Sequence, residues 1–356
     1  MQLLMSTERQ TQPRNQARFP LSLDYHAPKG RFRIIHQGLK IPNLPAPLHY
    51  FNFVSIIGQP RIPMLRNEYA IQTTALDTVS IISSSSPHMV GHFHSYSIEN
   101  DCKFEQGEFQ FSDLENLIGD LPDFYFVRND PELSAEIKIK TLPIVSHFTK
   151  IRFGLFDHWS MPCQCTGNII YKGQNFTIDQ LGCFDFARIV NMPYLPWCFY
   201  SYQVINLQKD RQIVFLHIRN HFNQIVQSKI YLRDVEQQSS QLFEDNVQFK
   251  IHRVYPKVTT PNHQDMYLAR EFEWSYQDEK STIHLYGQSR GDFKFGLAAG
   301  YVGSFNYQIK INEEIEEGSS GYCEYIDCRP LKWQEKNFKE KILDGLAHPE
   351  PFLLKK

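Results

Sequence analysis

The chain has no apolar run approaching the length of a membrane-spanning helix, and it has no block of basic residues. Lys and Arg number 37 against 39 Asp and Glu, a formal net charge of −2. That balance lacks the electrostatic footprint of a nucleic-acid binder. The opening stretch MQLLMSTERQTQPRNQ turns polar after five residues and has no apolar signal core, so a cytoplasmic protein is expected. The seven cysteines form no CxxC pair, which argues against zinc-ribbon and thioredoxin-type motifs. Reduced thiols and no cofactor are expected. Helical periodicity is nearly absent too, being convincing only in KWQEKNFKEKILDGL (332–346).

What the chain does have is aromatic residues, 14% of the total with 27 Phe and 18 Tyr, and period-two patterning. EFQF (108–111), AEIKIK (135–140), GNIIY (167–171), NVQFKIH (246–252) and STIHLYG (281–287) read as half-buried strands. In SFNYQIKI (304–311), Phe305, Tyr307, Ile309 and Ile311 share one face. YSYQVINLQKDRQIVFLHI (200–218) reads as a hairpin turning at 208–211, and INEEIEEGSS (311–320) as a solvated tip. SSSSP (83–87) and EQQSSQ (236–241) read as loops. Strand after strand without helices predicts an all-β antiparallel sandwich or barrel.

Two prolines in NMPYLPW (191–197) punctuate the middle, and the halves on either side share a pattern. GNIIYKGQNFTIDQLGCFDF and GSFNYQIKINEEIEEGSSGYCEY both run Gly, three residues, Tyr, a turn, then Gly-x-x-acid-aromatic. The acids are Asp185 and Glu324. This is the grammar of an internal duplication. The expected division is a polar arm over 1–40, a first barrel over 41–192, a second over 193–331, and a helix and tail over 332–356.

A duplicated barrel whose last strand carries Gly-Tyr-x-acid resembles the lipocalin-like group of carotenoid 1,2-hydratases, tocopherol cyclases and AttH-like proteins. The hairpin at 200–220 is similar to the segment that opens the second barrel in that group. GQSRGDF (287–293) and EYIDCR (324–329) also resemble the wording of an uncharacterised bacterial family. The resemblance implies two lipocalin-like barrels packed together. Its hydratases pair Tyr-x-Asp with an upstream His-x-Trp. Here Tyr322-x-Glu324 carries Glu for Asp, FKFGLAAGYVG (293–303) has neither His nor Trp, and adjacent His158 and Trp159 lie in the first half.

Glu324 shares a strand face with Tyr322 and Ile326. Facing a lumen, its carboxyl would be desolvated and could protonate an alkene, with aromatic faces stabilising the cation. Asp185 is the equivalent candidate, with Tyr322 beside Glu324. The competing reading makes both acids structural, clamped by Arg329, Arg188 or Arg290. His158, Trp159, Trp274, Tyr301, Tyr325 and Phe186 are expected to line an apolar pocket. Two functions follow. One is a binder of a lipid- or isoprenoid-like molecule in a barrel cavity. The other is an acid-catalysed hydratase, cyclase or isomerase acting on a polyene. Two further motifs compete. His92 and His94 with Glu99 approach a cupin-like metal spacing, and GQSRG (287–291) matches a nucleophile elbow, though its flanks read as strands.

Overall fold

The computed structural model describes residues 23–191 and 194–329. They form two large antiparallel sheets, and the 332–346 helix expectation lies outside the described residues. The first sheet runs Phe93–Ser97, Thr78–Ser85, Phe51–Ile57, Ile34–Ile41, Gln174–Ile189, Phe156–Tyr171, Leu133–Thr141, Asp123–Arg128, Glu115–Asp120, Glu108–Phe111 and Cys102–Glu105. The second runs Ser239–Phe243, Ile225–Asp234, Arg211–Asn220, Trp197–Leu207, Glu314–Asp327, Gly300–Ile311, Thr282–Ser289, Ala269–Gln277 and Gln248–Val254. Each sheet also carries a short side strand, Ser146–Ile151 and Lys294–Leu297, on its equivalent long strand.

The two orders match strand for strand around the centre. In each, the first strand of the half sits beside its last, and the preceding strand follows. The duplication is therefore one of architecture, one lipocalin-like barrel or half-barrel written twice in one chain. No helix among the described residues is long and apolar enough to cross a membrane.

Alternation explains how each sheet acquires an inside. In the first, Leu39, Phe53, Ile81, Phe126, Ile137, Trp159, Met161, Phe184 and Phe186 point to a common interior and are fully or almost fully buried. Each such side chain contributes about 1.5–3 kcal/mol of apolar burial. The second interior holds Trp274 against Phe215 and Phe249, with ring centroids 5.2 and 4.7 Å apart. The outward residues of the central strands of both sheets then meet each other. Ile34, Val54, Ile56 and Ala187 of one sheet join Tyr202, Val204, Leu216 and Ile326 of the other in a shared core.

Three expectations need correcting. The arm over 1–40 overruns the first strand: Ile34–Ile41 is buried at the centre of its sheet, paired on both sides. Its polar residues disguise it, since His36, Gln37 and Lys40 look like solvent-facing positions. The serine run is likewise no loop. Ser83, Ser84 and Ser85 are buried in a strand, where Ser84 hydrogen-bonds Asn52 at 2.6 Å and the Tyr50 hydroxyl at 3.1 Å. Ser239–Phe243, which overlaps the end of the second expected loop, is also a strand.

Candidate functional site

Three neighbouring strands of the first sheet build one wall. Register places His36 and His158 on either side of Ala187, and Gly38 and Ser160 on either side of Asp185. The small Ala187 side chain leaves room for the two imidazoles, whose rings meet edge to face at 5.5 Å. Gly38 has a similar role for Lys40 two residues on. A Cβ at Gly38 would lie 2.5 Å from Lys40 Nζ, so only glycine lets the ammonium fold back over the strand. The facing wall comes from Trp197–Leu207 and Glu314–Asp327, which pair Tyr202 with Glu324 and Tyr200 with Ile326.

Lys40 joins the two walls. Its buried ammonium hydrogen-bonds Asp185 and lies 3.7 Å from Glu324 Oε1. Glu324 also accepts the Tyr200 hydroxyl on Oε2 and the Tyr322 hydroxyl on Oε1, both at 3.0 Å. On the other side of Asp185, the Cys183 thiol donates to Oδ1 at 3.3 Å. Arg233 donates to Cys183 Sγ at 3.3 Å, and to Ser160 Oγ and Gln212 Oε1 at 2.8 Å each.

The environment pushes the two carboxyls apart. Burial would raise Asp185, but the Lys40 ammonium, with His158 and the hydrogen bonds from Lys40 and Ser160, holds it well below the usual carboxylate range. Glu324 goes the other way. Burial raises it, and the Asp185 charge adds to that, outweighing Lys40 and the two tyrosine hydroxyls. Burial alone would lower Lys40, but Asp185, Glu324 and Cys183 keep it firmly protonated. The imidazoles are neutral: burial, with the Lys40 charge, lowers His36 to about 3, and burial lowers His158 to about 4. His36 Nδ1 donates to the Ser55 carbonyl at 3.1 Å, while His158 Nε2 is buried without a hydrogen-bond partner. Two carboxyls at a single site whose pKa values are pushed apart in this way are the arrangement that acid–base chemistry uses.

Above these groups lies an apolar cavity between the sheets, with Ile34, Ile56, Met64, Phe156, Trp197, Leu216, Ile218 and Leu297 in its walls. His36, His158, Thr149, Tyr200, Gln227 and Glu324 are its polar lining. The cavity has a volume of about 60 Å³, enough for a few waters. A pocket inside a barrel was expected; this one lies between the two sheets, because each interior is filled by its own side chains.

The structure therefore brings together Glu324, Asp185, Tyr322 and His158. It sends the other expected residues elsewhere, for the reason that adjacent strand residues face opposite ways. Trp159, next to His158, and Phe186, next to Asp185, pack at a tilt with ring centroids 5.5 Å apart in the first interior. Trp274 donates to Gln203 Oε1 at 2.7 Å in the second, and Tyr325 packs edge-on against Phe199 at 5.5 Å. Tyr301 is half-buried against Phe293 and Phe295. Among the described residues no arginine clamps either acid: Arg329 pairs with Asp327, Arg188 with Asp24, and Arg290 bonds Asn306.

Sequence reasoning missed His36, Lys40, Tyr200, Cys183 and Arg233. The alternation of His36, Gly38 and Lys40 in IIHQGLKI was the available signal.

His36, His158 and Asp185 each bring a ligand atom within 4.8 Å of the others, a spacing a divalent ion could bridge. The positive charge at Asp185 is already supplied by Lys40. His92 and His94 do not converge: His92 Nε2 bonds the Phe295 carbonyl, and exposed-side His94 bonds the Gly91 carbonyl. In GQSRG the first three residues end the strand Thr282–Ser289 and only Arg290 and Gly291 lie beyond it; a Cβ at Gly287 would strike the Phe272 ring at 2.4 Å, so this glycine serves packing.

A model for a family of unknown function (DUF6670) matches residues 54–340. No curated protein matches the chain. Among solved structures, a Nitrosomonas europaea protein described as a candidate AttH aligns with a TM-score of 0.61 at 11% identity, over 88% of this chain and 98% of that one. Kievitone hydratase from Nectria haematococca aligns with a TM-score of 0.51 at 9% identity, over 83% of this chain and 89% of that one. At these identities the likeness is one of fold.

Proposed function

The chain belongs to the family of unknown function DUF6670, and from its site chemistry we propose that it is an acid-catalysed hydratase acting on an alkene in an apolar small molecule. The observation that carries this is Glu324, a cavity-lining carboxyl with a raised pKa, set across Lys40 from ionised Asp185. The likeness in fold to a hydratase supports the same reading. Isomerisation would share the first step.

In the reaction the Glu324 proton adds to one alkene carbon, leaving the positive charge on its neighbour. The faces of Tyr200, Phe156 and Trp197 line the cavity where that charge develops. Water then bonds to the cationic carbon, and its surplus proton passes to neutral His158 through the unpartnered Nε2. Transfer of that proton back to Glu324 resets the site, so the sum is alkene plus water giving alcohol. Asp185 stabilises the protonated imidazole, as it does the Lys40 ammonium.

The test is mass spectrometry of organic extracts from purified wild-type and Glu324→Gln protein. The variant should retain a compound lighter than the wild-type product by one water. Wild-type protein added to that compound in D2O should place one carbon-bound deuterium in the product. Identical extracts with no deuterium uptake would leave a binding protein and remove the enzyme.

A further inference from the structure

Away from Glu324, the cavity wall carries one polar pair that the hydration chemistry does not use. Gln227 lies on Ile225–Asp234 and pairs with Ile218, itself a lining residue. Its amide Nε2 donates to Thr149 Oγ1 at 3.2 Å. Its carbonyl Oε1 is buried with no partner, although the residue is only 5% exposed. Thr149 stands directly across from His158 in the strand register, so this pair adjoins the proton-accepting imidazole. A buried amide oxygen left unmatched is costly, and such groups are nearly always satisfied in the working state of a protein. Phe156 and Ile218, which also line the cavity, offer it no donor.

We infer that Gln227, held by Thr149, is a specificity subsite that accepts a hydrogen bond from a hydroxyl group of the substrate, so that the substrate class is an unsaturated alcohol or phenol rather than a plain hydrocarbon. The inference rests on the cavity being the substrate site. The Thr149 contact engages the amide nitrogen and leaves the oxygen, an acceptor, without a partner on a residue of the cavity wall. A hydroxyl donates there, and an ether or alkene of the same shape leaves the oxygen unpaired. Sites built to hydrogen-bond a substrate hydroxyl discriminate strongly against analogues lacking it, because the protein group is stranded.

The probes are isomers, 1-octanol and 1-methoxyheptane, which differ in having or lacking a donor. Binding is followed by calorimetry and by quenching of Trp197, on wild type, Gln227→Leu and Gln227→Glu. Wild type should bind the alcohol about tenfold more tightly than the ether. Gln227→Leu should abolish the preference while leaving ether affinity within about twofold, and Gln227→Glu should keep an alcohol preference. Equal affinities in wild type, a preference that survives Gln227→Leu, or no binding of either probe would overturn the inference. The measurement needs no turnover. A preference present in Glu324→Gln protein that shows no deuterium uptake would uphold the subsite while removing the hydratase.

Discussion

Asp185 and Glu324, the acids of the two Gly-x-x-acid-aromatic repeats, face each other across the meeting of the two sheets and share the ammonium of Lys40. Duplication supplies each half with an acid on the outward face of its last strand, and packing the halves together makes the two positions one site. Because a single lysine serves both, the carboxyl bonded to it ionises and the one standing off at 3.7 Å holds its proton longer. The repeat thus yields two roles from one motif.

Turnover should depend on Glu324 remaining protonated, so kcat/KM falls as pH rises through its elevated pKa. The Tyr200 and Tyr322 hydroxyls both favour the carboxylate. Tyr200→Phe should therefore move the alkaline limb to higher pH, by up to about one unit. The same raised pKa makes a contribution to stability that is fully present below the ordinary value of 4.5 and lost as pH rises through the folded one. A pH–rate profile that does not move in Tyr200→Phe would show that Glu324 is not the proton donor.

Lys40→Met strips Asp185 of its buried counter-charge and should cost about 3–5 kcal/mol in urea denaturation, as broken buried pairs do. Asp185→Leu alone should cost a similar amount. In the double variant no buried charge of the pair is left, so its loss should be well below the sum. Additive losses would mean that the ion pair contributes no coupling.

The strand alternation and turns that define both sheets were legible, as in Phe305, Tyr307, Ile309 and Ile311, where a polar residue separates each buried one. The acids were legible because the repeat marked them. Lys40 and His36 were not, because a strand buried on both faces and carrying its polar side chains inward has the composition of an exposed arm. Trp159 was misplaced by one position. On a strand that is the difference between the cavity and the interior, and no single sequence says which face of an all-buried strand is which.

Gly38→Ala tests the close approach behind Lys40. The added methyl meets Lys40 Nζ at 2.5 Å and His36 Cε1 at 3.3 Å, so the lysine head must move off Asp185. The expected result is at least a tenfold loss of turnover with a modest stability cost of about 1–2 kcal/mol. Unchanged turnover would show that the position of the ammonium does not matter.

The imidazoles predict acid sensitivity. Burial holds His36 down to about 3 and His158 to about 4, against an ordinary 6.5. The unfolded chain therefore takes up their protons first, and stability present above 6.5 is lost as pH falls toward 4 and then 3. Both rings touch the cavity, which screens part of the effect. In urea titrations between pH 7 and 4, His36→Gln/His158→Gln should reduce this loss by about 1 kcal/mol or more per ring.

Trp197 and Trp274 separate cavity from core. Trp274→Phe removes the 2.7 Å bond to Gln203 Oε1 deep in the second interior and leaves that oxygen stranded, at a cost of about 1–3 kcal/mol. Because Trp274 faces away from the cavity, probe binding and turnover should stay within about twofold. Trp197→Ala, on the cavity wall beside Phe156 at 5.9 Å, should do the reverse and weaken 1-octanol at least fivefold while removing less stability than a core tryptophan. If Trp274→Phe were the variant that lost ligand, the occupied space would be the second interior, and the acids between the sheets would be structural after all.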